Sequence, residues 1–186
     1  ENIMPVLANA ARNFYSTSSW GVCGKASIDA IKTVSLFGDE SDNISINPSI
    51  LYHLQDDLKQ QQKIFEDTGG IHASALFDTD GKFMMLREDV GRHNALDKII
   101  GAALLNDQVP LHNCILFLSG RASFELVQKA VMAGIKIIAA VGAPSSLAVE
   151  MAKETGITLI GFLRNDRFNI YSGAQRITSP QWAIAH

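Results

Sequence analysis

The chain has 186 residues, of which 47% are apolar and 19% are charged, and its formal net charge is −3. This composition can supply the core of one sizeable domain, and the small negative charge argues against general nucleic-acid binding. No apolar run reaches the roughly 20 residues that a transmembrane helix needs, and no secretory signal is visible. The first residue is Glu1 rather than methionine, which favours a fragment whose natural start is missing.

The first 36 residues predict a helical segment that is interrupted by a loop. Apolar residues recur at helical spacing over 3–14 and again over 25–34. Cys23 lies in the glycine-flanked loop between these helices, two residues before Lys25. A helix N-terminus and a nearby cation both stabilise a thiolate, so Cys23 is either a reactive thiol or an inert loop cysteine.

The cysteine count favours a reducing, cytoplasmic setting. Cys23 and Cys114 are the two cysteines, too few for a disulfide framework or a four-thiolate zinc site. Cys114 opens an apolar run and is interpreted as a small core residue.

Residues 37–186 predict an α/β domain. It begins with a predicted helix from Pro48 to Phe65, followed by strands over 71–77 and 82–86 and a helix over 96–104. Four more strands are predicted over 115–118, 137–141, 157–162 and 168–171. One helix is predicted between the first and second of these strands, and another between the second and third. Two successive strand–helix–strand units imply a parallel sheet with right-handed crossovers.

A polar cluster precedes the helix predicted over 96–104. It comprises Glu88, Asp89, Arg92, His93, Asn94 and Asp97. The cluster predicts a hydrogen-bonded network around a pocket; the alternative is a solvated run of charges. His93 is a candidate general acid or base, although no nucleophile is adjacent in sequence. His72 is interpreted as a hydrogen-bonded pocket residue, because no second His or Cys has ligand spacing to it.

The loops at 119–123 and 142–146 follow strands and precede helices. Ligands of open parallel sheets bind beyond the carboxyl ends of the strands, and helix N-termini favour anions. Arg121 in the first loop, with Arg164 and Arg167 after the last parallel strand, supplies positive charge. The loops predict a site for a phosphate-bearing ligand. Alternatively, their serines simply cap helices.

Several motifs carry a resemblance to a known family. The run at 88–98 resembles a signature of the FdhD family, the formate dehydrogenase accessory sulfurtransferases, also called FdhD/NarQ-like. Further similar runs lie at 18–27, 68–72, 119–130, 143–150 and 161–164. Nearly the whole chain takes part, in the family's order.

The resemblance implies a three-layer α/β/α sandwich, cytidine deaminase-like, with an N-terminal helical extension and no catalytic zinc. It implies a homodimer that takes sulfur from a cysteine desulfurase and passes it to the molybdenum cofactor needed by formate dehydrogenase. The cofactor would be bis-molybdopterin guanine dinucleotide, bound as substrate. The family's cofactor-binding run falls on Phe162, Leu163, Arg164, Asn165, Asp166 and Arg167.

The chain departs from the family at one position. The family's loop holds Cys-x-x-Cys, whereas Trp20 occupies the first of these positions here and Cys23 the second. One thiolate suffices to carry a persulfide, so the first hypothesis is a sulfurtransferase that acts through Cys23. The second is a carrier or chaperone of the cofactor that has lost sulfur transfer. A weaker third is a nucleotide-binding enzyme of unrelated chemistry.

Overall fold

The computed structural model describes residues 44–61 and 70–178. Cys23, Trp20 and the segment predicted over 1–36 lie outside these residues. The described helices are α1 (Pro48–Gln61), α2 (Arg92–Leu105), α3 (Phe124–Met132) and α4 (Ser146–Glu154). The strands are β1 (His72–Asp78), β2 (Phe83–Asp89), β3 (Cys114–Leu118), β4 (Ile137–Ala140), β5 (Thr158–Gly161) and β6 (Asn169–Ser172).

The six strands form one mixed sheet in the order β2-β1-β3-β4-β5-β6. β3, β4 and β5 are parallel, which confirms the two predicted crossover units. β1 is antiparallel to both of its neighbours, and β6 is antiparallel to β5. The start of β1 and the end of β2 therefore lie at the same edge of the sheet as the carboxyl ends of β3, β4 and β5.

Helices cover both faces of this sheet. Every residue of β3 and β4 is buried, as expected for apolar strands between two layers. On one face the buried leucines of α1 pack in one cluster with Phe77 and Phe117. On the other, α2 packs against β1 and β2, and α3 contacts both α2 and α4. The predicted three-layer α/β/α sandwich is confirmed.

Two helix ends follow local sequence signals, whereas another helix begins earlier than predicted. Asn47 caps α1, because its Oδ1 accepts a hydrogen bond from the Ser49 backbone N–H at 3.0 Å. Gly134 follows α3 with a φ of +78°, a left-handed conformation that suits glycine. That helix is α2, which begins at Arg92 rather than near residue 96, so His93 lies in its first turn. Within 44–61 and 70–178, no helix is long and apolar enough to cross a membrane.

Candidate functional site at the carboxyl edge

Three loops lie together beyond the carboxyl ends of the parallel strands, and we call this region the carboxyl edge. It consists of residues 119–123 after β3, 141–145 after β4 and 162–167 after β5. Backbone hydrogen bonds join the first two loops: Gly142 N donates to Gly120 O at 2.9 Å, and Ser145 N donates to Ala122 O at 3.0 Å. The two loops thus form one continuous surface.

Glycines allow this close approach. A Cβ atom on Gly142 would lie 2.8 Å from the Arg121 backbone nitrogen. A Cβ on Gly161, at the end of β5, would lie 2.8 Å from Cδ of Pro144. Neither distance is tolerated between real atoms, so at both glycines the neighbouring loop comes closer than a Cβ atom would allow. The lack of a side chain at these two positions lets the loops touch.

The three predicted arginines have different roles. Arg121 is exposed at the carboxyl edge, and Arg167 is exposed in the third loop. The half-buried Arg164 instead turns inward, where its Nη1 donates to Val141 O at 2.8 Å and to Leu163 O at 2.7 Å. Arg121 and Arg167 are therefore accessible to solvent, although Arg167 Nη1 lies 3.8 Å from Asp166 Oδ2, and Arg164 holds the loop.

The predicted cofactor run at 162–167 divides into supporting and exposed residues. Leu163 is fully buried, and Asn165 Nδ2 donates to Asp56 Oδ2 of α1 at 2.7 Å. This hydrogen bond, followed by the pairing of Asp56 with Lys59, lowers the pKa of Asp56. Phe162 is 41% exposed and has a φ of +52°. A bulky residue in the left-handed region is strained, and strain of this kind clusters at functional sites.

Ser123 and His93 meet at this edge. His93 Nε2 lies 3.1 Å from Ser123 Oγ, and His93 is only 4% exposed. Burial, followed by the nearby Arg92 charge, lowers the pKa of His93, which favours the neutral imidazole. Ser123 makes no side-chain cap on α3, whereas Ser145 Oγ accepts from Ala148 N at 3.2 Å and caps α4. The capping interpretation is thus confirmed for Ser145 and wrong for Ser123.

Part of the predicted polar network is present at the start of α2, where it joins Asp89 to Asn94; a pocket around it stays a prediction. Asp89 Oδ1 accepts from Gly91 N at 2.9 Å and from Asn94 Nδ2 at 3.1 Å, while its Oδ2 lies 2.5 Å from Lys98 Nζ. These partners, with Lys98 as the largest contributor, lower the pKa of Asp89 to about 2. These bonds hold the turn between β2 and α2, and His93 lies in the first turn of that helix.

Two further polar groups are Arg92, next to His93 in the sequence, and His72, beside the loop at 119–123. Arg92 has a buried Nε with no hydrogen-bond partner among the described residues. His72 starts β1, and a Cβ atom on Gly120 would lie 3.3 Å from its Nδ1. His72 therefore lies against the loop at 119–123, while its role as a hydrogen-bonded pocket residue stays a prediction.

Sequence reasoning missed the partnership of Ser123 with His93 and the pairing of Lys129 with Asp97 at 2.5 Å. Both join α2 to α3 over about 30 residues of sequence. No local motif contains both members of either pair. The sequence showed His93 within a dense polar run, but it did not indicate that Ser123 is its partner.

The opposite edge of the sheet, at the start of β3, is different in character. A cavity of about 360 Å³ there is lined mainly by apolar and sulfur-containing side chains, among them Met84, Leu111 and Cys114. Cys114 is 6% exposed, and burial, followed by the charge of Asp78, raises the pKa of its thiol. The core interpretation of Cys114 is confirmed.

A mixed sheet between helical layers, with joined loops beyond its parallel strands, defines an α/β sandwich of the class that places its chemistry on strand-end loops. The particular family follows from comparison with known proteins. The chain belongs to the FdhD/NarQ family, whose sequence model matches residues 4–178.

Named relatives agree with this assignment. The chain is 54% identical over 169 residues to the sulfur carrier protein FdhD of Mycolicibacterium paratuberculosis, which covers 91% of this chain and 62% of that protein. It is 54% identical over 167 residues to the protein of the same name from Streptomyces coelicolor, covering 89% of this chain and 59% of that one. The chain therefore spans about three-fifths of the length of these relatives.

A solved structure is also similar. It is described as a formate dehydrogenase accessory protein from Desulfotalea psychrophila, and the TM-score is 0.67 at 29% sequence identity. The match covers 73% of this chain and 58% of that chain.

Proposed function

We propose that this chain is a sulfur carrier for formate dehydrogenase, in which Cys23 receives sulfur from a cysteine desulfurase and the carboxyl edge holds the molybdenum cofactor to which the sulfur passes. The observation that carries this proposal is the family match over residues 4–178, together with 54% identity to named sulfur carriers. We further infer a cytoplasmic homodimer.

The loading step needs only one thiolate. The Cys23 thiolate attacks the terminal sulfur of a desulfurase persulfide, a new S–S bond forms, and the desulfurase cysteine leaves as a thiolate. Trp20 occupies the family's first cysteine position, so no second thiol of that motif is required in this step. Cys114 is unsuited to it, because its thiol is buried and its pKa is raised.

The geometry of the carboxyl edge supports the cofactor half of the proposal. The guanine dinucleotide form of the cofactor carries pyrophosphates, which suit exposed guanidinium groups and helix N-termini. Arg121 and Arg167 are exposed there, and α3 begins beside Arg121 without a side-chain cap. Phe162 offers an exposed ring in the third loop, where a planar base could stack.

Mass spectrometry tests the sulfur step. The protein is incubated with a cysteine desulfurase and cysteine, and the peptide that contains residue 23 is measured. One added sulfur is expected on Cys23 in the wild type and in Cys114→Ala, and none in Cys23→Ala. Absence of sulfur from the wild-type peptide would contradict the proposal.

A second candidate is a cofactor carrier that lacks sulfur transfer, and the Trp20 substitution favours it. The two candidates differ in a paired measurement. Binding of GDP, which is a fragment of the guanine dinucleotide, without sulfur on Cys23 would select the carrier. GDP binding together with sulfur loading would select the sulfurtransferase.

A further inference from the structure

Within the site proposed above, we propose that His93 is a positioning residue, whose imidazole holds the Ser123 hydroxyl so that it can donate to a phosphate oxygen of the ligand. The inference rests on the proposed function and adds two residues that lie outside the cofactor-binding run at 162–167. It begins from the 3.1 Å contact between His93 Nε2 and Ser123 Oγ.

The position of Ser123 gives it access to both partners. It is half-buried, directly before α3, and two residues from the exposed Arg121. A serine in this place ordinarily turns its oxygen to the first-turn N–H groups of its helix, as Ser145 does in α4. Ser123 Oγ instead contacts His93 and accepts no hydrogen bond from the backbone N–H groups in the first turn of α3.

As part of this proposal, we assign the direction of the hydrogen bond from the carboxylate nearest to Nε2. Glu125 Oε2 lies 3.8 Å from the same nitrogen, too far for a hydrogen bond but close enough to favour a proton on Nε2. With that proton on Nε2, the ring donates to Ser123 Oγ. The hydroxyl then has its own proton available for an acceptor, and phosphate oxygens are acceptors.

The imidazole acts here by orienting the Ser123 hydroxyl rather than by carrying a charge. His93 is only 4% exposed, so its neutral form is favoured. Its backbone is held by the first turn of α2, which the Asp89 network fixes. A rigid neutral ring can orient a hydroxyl without opposing the positive charge that Arg121 supplies.

Isothermal titration with GDP tests the proposal. Ser123→Ala should weaken GDP binding by about ten- to a hundred-fold, the expected effect of losing one hydrogen bond to a charged group. His93→Ala should weaken it similarly. The double variant should be no weaker than either single variant, since both changes remove the same interaction.

Conservative variants separate positioning from a merely structural role. The amide of His93→Gln reaches the place of Nε2 and should restore much of the affinity, whereas His93→Asn, whose shorter amide mimics Nδ1, should not. His112→Gln is the matched control. His112 lies at the opposite edge, where its Nδ1 is 3.0 Å from Gly134 O, and this variant should bind GDP like the wild type.

The outcomes are distinguishable. If the wild type does not bind GDP, the cofactor site of the proposed function fails, and this inference fails with it. If the wild type binds GDP and Ser123→Ala binds it equally well, only this inference is overturned. The Ser123→Ala result tests the inference even if His93→Ala does not fold. Ser123→Ala removes only one hydroxyl from a half-buried position, so we expect this variant to fold.

Discussion

The loops after β3 and β4 are alike in sequence and position, yet their serines have different roles. In the loop at 141–145, Ser145 caps its own helix through a 3.2 Å hydrogen bond. In the loop at 119–123, Ser123 contacts His93 at 3.1 Å and leaves α3 without a side-chain cap. A serine before a helix therefore does not by itself indicate a cap or a ligand site. The neighbouring element decides, and beside Ser123 that element is α2.

Forcing apart the loops at 119–123 and 141–145 should have the largest effect on stability. Gly142→Ala places a Cβ atom 2.8 Å from the Arg121 backbone, so we expect the free energy of unfolding to fall by about 2 kcal/mol. Gly101→Ala is the matched control. Gly101 lies within α2 with no atom near its added Cβ, and this change should raise stability by about 1 kcal/mol. Urea denaturation measures both, and equal stabilities would contradict the close contact of the loops.

Removing the cap of the second loop should have a smaller effect. Ser145→Ala loses the hydrogen bond to Ala148 N, and we expect a loss of about 1 kcal/mol in thermal or urea unfolding. Ser146→Ala, at the exposed first residue of α4, keeps that cap and should change stability little. A larger loss in Ser146→Ala than in Ser145→Ala would mean that the cap is assigned to the wrong serine.

The third loop provides a test of strain. Phe162→Gly removes the strain of a bulky residue in the left-handed conformation, which stabilises the fold. Glycine also raises the entropy of the unfolded chain, which offsets part of that gain. We expect the free energy of unfolding to rise by about 0.5 kcal/mol. Phe162→Leu keeps the Cβ atom and hence the strain. Chemical denaturation should rank Phe162→Gly above Phe162→Leu. The opposite order would show that ring contacts outweigh strain.

The smallest expected effect concerns pH. Lys98 holds the pKa of Asp89 at about 2, below its ordinary 3.8, but solvent screens the half-exposed Lys98 and keeps the contribution to stability small. That contribution is complete above about pH 5 and is lost as the pH falls through about 2. Asp89→Asn should be less stable than the wild type at neutral pH, and the difference should shrink over that window. Unfolding free energies measured from pH 5 to pH 2 provide the check. A constant difference would exclude titration of Asp89 as its cause.

Much of the fold could be predicted because its signals are local. The apolar runs of β3 and β4 are buried throughout, and Gly134 follows the helix between them. The start of α2 was placed too late, because the polar residues of its first turn obscured the helical period. The edge strand β2 was predicted to end at residue 86 and continues to Asp89, since an edge strand tolerates charges on its exposed side.

The site was predictable only in outline. The rule for strand-end loops located the carboxyl edge, and Arg121 lies exposed there as expected. The inward turn of Arg164 depends on carbonyls of two loops, and the contact of Ser123 with His93 spans 30 residues. Such pairs are set by the order of the strands in the sheet, which sequence patterning does not reveal.

The bracing of the loop at 162–167 has a consequence for the rate and entropy of binding. Arg164 N donates to Arg167 O at 2.9 Å across the loop, Arg164 Nη1 bonds to the neighbouring loop, and Asn165 is tied to α1. The ligand that we propose for this loop would therefore meet a loop whose ordering entropy was already lost when the protein folded. Association at this loop should approach the speed of a rigid docking encounter, without a slow closing step.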